Sequence, residues 1–327
     1  MIFADDSKLI KEIEEEEDRI MLLNDLKAVI KWAEDNKMEL NESKFMLLQH
    51  GNNENMKHPY NISEDFTLKK SEFAKDLGIL VDMDLKWRQQ IATATASATQ
   101  LAGWALRVFR SREKEVVLTL YKSLIRPKLE YGCVVWHPHL IRDIAHLESV
   151  QRTMTYRIEN MEKYNYWERL EILDLYSMQR RRERYICMMM FNIYSGRLHN
   201  NLNLRFYNTP RHGVKCRRKT LTSRKQSINT IRCSAFADIG ASLFNILPNS
   251  VKSAKTVGTF KSRLDKFLKL IPDQPPVPGY VRMNNNSIVD WMPHRSSSSL
   301  DLVLEDDETL LLEAVEQPGL PQPTLHY

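Results

Sequence analysis

The feature that most constrains the fold is a series of segments in which apolar residues recur every three or four positions. The series begins after Trp87, and a proline or glycine follows most of its members. This spacing puts the apolar side chains on one face of a helix, and proline, which lacks a backbone N–H, ends helices. The sequence therefore predicts a mostly α-helical body, formed by Ile91–Phe109, Lys114–Ile125 before Pro127, Ile141–Ile158, Ser177–Tyr194 before Gly196, Phe236–Leu247 before Pro248, and Val257–Leu270 before Pro272.

The part of the chain before Trp87 combines one helix with short strands. Helical spacing from Lys8 to Lys37 predicts a long amphipathic helix that begins a few residues after Asp6. The fold class is therefore α+β, predominantly α. Short strands are predicted at Leu40–Gln49, Phe66–Leu68 and Ala74–Val81.

Charge is strongly segregated along the chain. Residues 1–60 contain 8 Lys and Arg against 14 Asp and Glu, and residues 281–327 contain 2 against 8. Residues 61–280 therefore hold 37 basic and 20 acidic residues, a net charge of +17. A basic middle between acidic ends predicts a polyanionic partner, and the alternative is an ordinary solvated surface.

The most basic segment runs from Arg205 to Arg232 and has nine basic residues and no acidic one. Its Thr, Ser, Asn and Gly content predicts a loop. Nine uncompensated cations repel one another unless a polyanion or solvent screens them, so this segment is the best candidate for binding nucleic acid. The alternative is a flexible basic loop. The residues predicted to contact nucleic acid here are Arg211, Lys215, Arg217, Arg218, Lys219, Arg224 and Lys225.

Several classes of protein are disfavoured by composition. The four cysteines form no CxxC pair, so neither a disulfide framework nor a zinc site is predicted. The first residues carry Asp5, Asp6 and Lys8 where a signal peptide needs an apolar run, and the longest apolar stretch, Tyr185–Phe191, is too short to span a bilayer. We expect an intracellular protein, nuclear or cytoplasmic, that is neither secreted nor membrane-embedded.

Phe3-Ala4-Asp5-Asp6 places two carboxylates side by side after apolar residues. In two-metal nucleotidyl transfer, paired Mg²⁺ ions bind the attacking and leaving oxygens, and carboxylates on rigid strands hold the ions. A hairpin tip that carries Asp-Asp is suited to this chemistry. The tetrapeptide alone is a weak motif.

The segments that follow give the motif a family context. Phe3-Ala4-Asp5-Asp6-Ser7-Lys8-Leu9, then Lys37–Lys44, then Lys75-Asp76-Leu77-Gly78-Ile79 resemble, in order, successive motifs of the reverse transcriptases of non-LTR retrotransposons, particularly the jockey-like elements. The likeness continues to about residue 280, through Asp84–Trp87, Leu120–Gly132, Val135–Pro138, Leu147–Arg152, Tyr166–Leu170, Arg180–Arg184, Phe244–Pro248 and Phe260–Asp265.

This resemblance implies roles for four residues. Asp5 and Asp6 would hold Mg²⁺ if the palm is complete, and Lys44 would lie near the triphosphate of the incoming nucleotide. Gly78 would lie in the primer-grip hairpin, where it allows close backbone approach. Lys44 could equally be an ordinary solvated lysine. The implied partners are an RNA template, a DNA primer or target and deoxynucleoside triphosphates.

The resemblance also implies a division of the chain. Residues 1–60 would be a truncated polymerase palm, 61–160 a primer-grip hairpin and helical thumb, 161–280 a helical, basic C-terminal extension, and 281–327 a disordered acidic tail. The fingers and an earlier palm strand of the family would precede Met1, so we expect a fragment of an RNA-directed DNA polymerase that is inactive by itself. The alternatives are a non-catalytic nucleic-acid-binding module and a functionless relic.

Two groups of side chains have open roles. Arg180, Arg181, Arg182 and Arg184 could bind phosphate or pair with Glu168 and Glu171, and the neighbouring methionines are predicted to pack in the core. Four tryptophans flanked by helical apolar spacing are predicted to be buried anchors rather than base-stacking residues: Trp87, Trp104, Trp136 and Trp167.

Overall fold

Helices predominate in the fold, and all strands are short, which confirms the predicted α+β class. The structure is a computed structural model that describes residues 2–3, 6–51, 59–63, 66–138, 140–209, 213–218, 235–275 and 286–291. The chain divides into unit 1, which ends at Gln90, and unit 2, which begins at Ile91. Within the described ranges, no helix is long and apolar enough to cross a membrane.

The described residues of unit 1 form one long helix, a 3-10 helix and three two-stranded sheets. Strands β1 and β2 are antiparallel, β3 and β4 are parallel, and β5 and β6 form an antiparallel hairpin. The elements are β1 (Ile2–Phe3), β2 (Asp6–Ser7), α1 (Glu16–Asp35), a 3-10 helix (Glu42–Lys44), β3 (Leu47–Leu48), β4 (Lys70–Ser71), β5 (Phe73–Asp76) and β6 (Ile79–Asp82).

The predicted start of the first helix is wrong by about two turns. The helix begins at Glu16, because the Asp18 carboxylate accepts the backbone N–H groups of Glu14 and Glu15, at 3.1 and 3.2 Å, and so caps the helix there. The predicted strand Leu40–Gln49 is also wrong over most of its length, since only Leu47 and Leu48 are extended and a 3-10 turn precedes them.

Unit 2 contains the helical body and one long hairpin. Helix α2 crosses the boundary between the units, and β7 pairs with β8 in antiparallel register. The elements are α2 (Arg88–Val108), α3 (Lys114–Leu120), a π-helix (Tyr121–Ile125), α4 (Arg126–Glu130), α5 (Ile141–Tyr156), α6 (Tyr166–Ile172), α7 (Met178–Tyr194), β7 (Leu204–Thr209), β8 (Gly213–Arg218), α8 (Phe236–Ile246), α9 (Asn249–Lys252), α10 (Val257–Lys269) and α11 (Ile288–Trp291).

Pro127 does not end its helix, contrary to the prediction. The helical path that begins at Lys114 continues through the π-helix to Glu130. In the π-helix the backbone N–H of Arg126 bonds to the carbonyl oxygen of Tyr121, five residues earlier. This wider turn precedes Pro127, which then lies in the first turn of α4, where a missing N–H costs little.

The core of unit 2 is built around α7. Phe191 of α7 stacks on Phe260 of α10, with ring centroids 4.1 Å apart. Met190 is fully buried beside Gly240 of α8, where a Cβ would come within 2.7 Å of the Met190 sulfur, so this helix pair packs closely only with glycine. The predicted core role of the methionine run is thus confirmed for Met190.

The prediction of a disordered tail is wrong for residues 286–291. Asn286 and Ile288 are buried, and α11 belongs to the same core. The segment is ordered because the Glu183 carboxylate accepts the Ser287 hydroxyl and the Ile288 backbone N–H, the latter at 3.0 Å. The remaining residues after 275 lie outside the described residues.

The tryptophans differ in their exposure. Trp136 is fully buried, as predicted, and its indole N–H donates to the Tyr131 carbonyl oxygen at 2.8 Å. Trp87 and Trp167 are half-buried. Trp104 is 46% exposed, so its prediction as a buried anchor is wrong. Helical spacing identifies the face of α2 on which Trp104 lies, and it does not determine whether that face is covered.

Candidate nucleic-acid interface

The Asp-Asp segment starts unit 1. Asp6 opens β2 opposite Phe3 and is exposed, whereas Asp5 lies outside the described residues. The predicted Mg²⁺ site at Asp5 and Asp6 is therefore untested and stays a prediction. Lys8, two residues after Asp6, forms an ion pair with Asp76 of β5. This pair joins the Asp-Asp segment to the hairpin that resembles the primer grip.

Lys44, the residue expected near the triphosphate, ends the 3-10 helix and is exposed. No hydrogen bond or ion pair between described residues joins it to Asp6. The role of Lys44 therefore remains a prediction.

Gly78 lies at the tip of the β5–β6 hairpin. Asp76 pairs with Ile79, and the two residues between them, Leu77 and Gly78, have φ angles of +46° and +83°. Two-residue turns with positive φ at both positions match the twist of the flanking strands, and glycine is favoured in them. The turn alone accounts for Gly78, and its contact with nucleic acid remains a prediction.

Arg180 and Arg182 of α7 are buried and bind backbone carbonyl groups. Arg180 donates to the carbonyl oxygens of residues 268, 271 and 272, at 3.3, 3.1 and 2.9 Å, and thereby caps the end of α10. Arg182 donates to the Leu129 carbonyl oxygen at 2.8 Å and lies 4.1 Å from the ring centroid of Trp136. Burial lowers the pKa of Arg182 to about 10, so it stays charged at neutral pH.

The two other arginines of α7 form ion pairs. Arg181 donates to the Glu130 carboxylate at 3.1 Å, and Arg184 donates to the Asp265 carboxylate at 2.8 Å. Both predicted roles for the cluster, phosphate binding and pairing with Glu168 or Glu171, are therefore wrong. The two acceptors lie on other helices, Glu130 at the end of α4 and Asp265 in the second half of α10.

Two buried carboxylates anchor the ends of α7 and α11. Glu148 accepts the Met178 backbone N–H with both oxygens, each at 3.1 Å, and accepts the Tyr166 hydroxyl. Glu183 holds the start of α11 in the same manner. Burial raises the pKa of Glu148 and of Glu183 to about 7, because the interior disfavours the charged form. Both groups are enclosed and have structural roles.

The segment predicted as a basic loop begins within the β7–β8 hairpin, so that prediction is wrong for residues 205–209 and 213–218. Side chains alternate between the two faces of a strand, so Arg205, Tyr207 and Lys215 share one face, which we call the outer face. Tyr207 pairs with Lys215, and Arg205 pairs in backbone register with Arg217. Arg205 and Lys215 are exposed, and Tyr207 is 43% exposed.

The opposite face of the hairpin is packed against the helical body. Leu204 and Cys216 are buried, and the Phe206 ring meets the Phe244 ring edge-on, with centroids 5.7 Å apart. The side-chain amide of Asn245 accepts the Cys216 N–H at 2.7 Å and donates to the Cys216 carbonyl oxygen at 3.0 Å. Asn245 thus pairs with both backbone groups of Cys216, as a residue of a neighbouring strand would, and joins β8 to α8.

Two further contacts fix the hairpin. The buried ammonium of Lys252 donates to the Val214 carbonyl oxygen at 3.1 Å. Gly213 has a φ of +66°, which favours glycine, and a Cβ there would come within 1.6 Å of the Asn249 side chain and would have to displace it from its place on α9. The outer face is therefore presented on a rigid support.

The outer face has no acidic counterpart among the described residues. Neither Arg205 nor Lys215 forms an ion pair within the part of the chain that the structure describes. Arg205 and Arg217 are partners in the backbone register, and like charges at paired positions of a sheet destabilise it unless an anion or solvent screens them. This arrangement fits a polyanion.

The predicted nucleic-acid contacts have different outcomes. Lys215 is exposed on β8, and the backbones of Arg217 and Arg218 belong to that strand. The others lie outside the described residues: Arg211, Lys219, Arg224 and Lys225. Arg205 and Tyr207 were not among the predicted contacts. The sequence does indicate these two residues, because Arg205 and Tyr207 alternate with the apolar Leu204 and Phe206. This alternation has the two-residue period of a strand.

Comparison with known proteins gives one distant likeness. The chain is 32% identical over 127 residues to an uncharacterized protein of Caenorhabditis elegans, an alignment that covers 38% of this chain and 64% of the relative. The chain thus spans just under two thirds of that relative's length. No protein-family model matches the chain, and no solved structure matches it.

Proposed function

We propose that this chain is a nucleic-acid-binding part of a non-LTR retrotransposon reverse transcriptase, and that the outer face of the β7–β8 hairpin contacts the phosphate backbone. Arg205, Lys215 and Arg217 supply the cations. A phosphate chain that passes along the hairpin meets these cations in succession, and each contact releases counterions. The observation that carries the proposal is a rigid hairpin on which Arg205 and Lys215 are exposed on one face and form no ion pair with another described residue.

The net charge of the surrounding sequence supports the same conclusion. The basic segment continues past the hairpin to Arg232 without an acidic residue. A field of one sign raises the local concentration of an oppositely charged ligand and speeds its association. The arginines of α7 do not contribute to this surface, because they are bonded within the protein.

The experiment is a binding measurement on the full chain with short RNA and DNA oligonucleotides. In the test variant, Arg205, Lys215 and Arg217 are changed to Gln. In the matched control, three exposed lysines of the same unit are changed to Gln: Lys255, Lys261 and Lys269. We expect the test variant to lose about tenfold or more in affinity near 0.1 M salt, and the control to lose much less. Equal losses would contradict a site on the hairpin.

RNA-directed DNA synthesis is the second candidate, favoured by the Lys8–Asp76 ion pair that joins two of the family-like segments. Asp5 and Asp6 would hold Mg²⁺, which would stabilise the charge that develops on the reacting phosphate. Primer extension on an RNA template with Mg²⁺ and deoxynucleotides tests this activity. Extension that is lost in Asp6→Ala supports the polymerase, and no extension by the unchanged chain favours the non-catalytic binding module.

A further inference from the structure

Tyr207 distinguishes the outer face from a surface that is merely basic. Its side chain is 43% exposed and lies on the side of the hairpin that faces away from the core, directly across from Lys215 and two residues after Arg205 on the same strand. Exposed aromatic rings between cations are the arrangement by which proteins stack single-stranded bases.

The support beneath Tyr207 is what makes stacking effective. The neighbouring Phe206 lies in an aromatic cluster with Tyr194 and Phe244, at centroid distances of 5.2 and 5.7 Å. Asn245 and Lys252 bond the backbone of the facing strand. A ring held on such a support loses little conformational freedom when a base covers it, so more of the stacking energy remains as affinity.

We infer that Tyr207 is a base-stacking residue and that the outer face binds single-stranded rather than duplex nucleic acid. Phosphates lie against Arg205, Lys215 and Arg217, and one unpaired base lies on the Tyr207 ring. In a duplex the base faces are already stacked on one another, so only the phosphate contacts remain available. This inference rests on the proposed function, because it assigns a ligand class to the same face.

The first measurement uses the unchanged protein and needs no variant. Its affinity is compared for a single strand, for the same strand annealed to its complement, and for a single strand of abasic sugar-phosphate. Each strand is made both as RNA and as DNA, so that the comparison shows which of the two the protein binds more tightly. We expect the intact single strand to bind about tenfold more tightly than the abasic strand, which is the size of one base–aromatic stack.

The second measurement identifies the ring. Tyr207→Ala should lose about tenfold in affinity for the single strand and almost none for the abasic strand, whereas Tyr207→Phe should retain the affinity of the unchanged protein. Tyr131→Ala is the matched control, because Tyr131 is an exposed tyrosine of the same unit. Thermal unfolding of each variant shows whether the hairpin is intact.

The outcomes separate this inference from the proposed function. If the unchanged protein binds no nucleic acid, both fail. If binding is lost with the charges of Arg205, Lys215 and Arg217 but is equal for intact, duplex and abasic strands, the phosphate site stands and the stacking role is overturned. The same holds if Tyr207→Phe loses as much affinity as Tyr207→Ala, because the ring would then not be the group that binds.

Discussion

Two basic clusters in unit 2 have similar composition and opposite surroundings. On α7, Arg180 and Arg182 are buried and bonded to carbonyl oxygens. On the outer face of the hairpin, Arg205 and Lys215 are exposed and without ion pairs among the described residues. The density of positive charge in a sequence therefore does not decide whether the charge stabilises the interior or attracts a partner. The role of each cation depends on which hydrogen-bond acceptors and carboxylates lie beside it in the folded protein.

The largest change in the free energy of unfolding is expected for a substitution in the α7 cluster. Arg182→Ala leaves the Leu129 and Trp136 carbonyl groups without their donor and opens space beside the Trp136 ring. Unpaired buried polar groups and cavities each destabilise, so the free energy of unfolding should fall by about 3 kcal/mol or more. Chemical denaturation measures the change.

Arg205→Ala on the hairpin is the control for that substitution. Its side chain is exposed, so the free energy of unfolding should change by less than about 0.5 kcal/mol. Similar losses in the two variants would mean that Arg205 is also bonded within the protein, and the comparison between the clusters would break down.

A smaller effect is expected where α11 is held by α7. Ile288→Ala removes a buried side chain next to the Ile288–Glu183 bond, and should cost about 2 kcal/mol of unfolding free energy. Val289→Ala is the neighbouring exposed control and should have almost no effect. A thermal midpoint that is unchanged in Ile288→Ala would mean that residues 286–291 do not dock on the core.

The two buried carboxylates make stability depend on pH in a defined direction. The folded-state pKa values of Glu148 and Glu183, about 7, exceed the unfolded value of 4.5. The stabilisation is therefore fully present below about pH 4.5 and is lost as pH rises through about 7, because the folded protein must then bury two charges. We expect a fall of several kcal/mol across this range, because each carboxylate contributes about 1.4 kcal/mol for each pH unit between its two pKa values.

Urea unfolding at several pH values checks this dependence. Glu183→Gln should make the fall in stability with rising pH smaller, whereas the exposed control Glu171→Gln should leave it unchanged. Stability that rises through this pH range in all three proteins would contradict the assigned burial of the two carboxylates.

Local signals in the sequence predicted many helices well. Ser177 caps α7 by accepting the Arg180 N–H at 3.1 Å, and Gly196 follows the helix with a φ of +71°. Both are short-range features that a sequence displays. Pro127 is the exception, because the π-helix before it depends on packing that no local rule describes.

The candidate site was less predictable, for two different reasons. The partners of the α7 arginines lie far away in the sequence, as Arg182 with Leu129 and Arg184 with Asp265 illustrate, so no local pattern identifies them. The hairpin did display a pattern, the alternation around Phe206. The segment was predicted as a loop because of its Thr, Ser and Asn residues, but many of these residues come after the hairpin.

The most direct test of the hairpin as the phosphate-binding face is the salt dependence of binding to a single strand. The logarithm of the affinity falls linearly with the logarithm of the salt concentration, with a slope of about −0.7 for each phosphate that is neutralised on a single strand. Changing Arg205, Lys215 and Arg217 to Gln should reduce the steepness by about 2, and changing Lys255, Lys261 and Lys269 to Gln should leave the slope unchanged. An unchanged slope in the hairpin variant would show that these three cations do not contact phosphate.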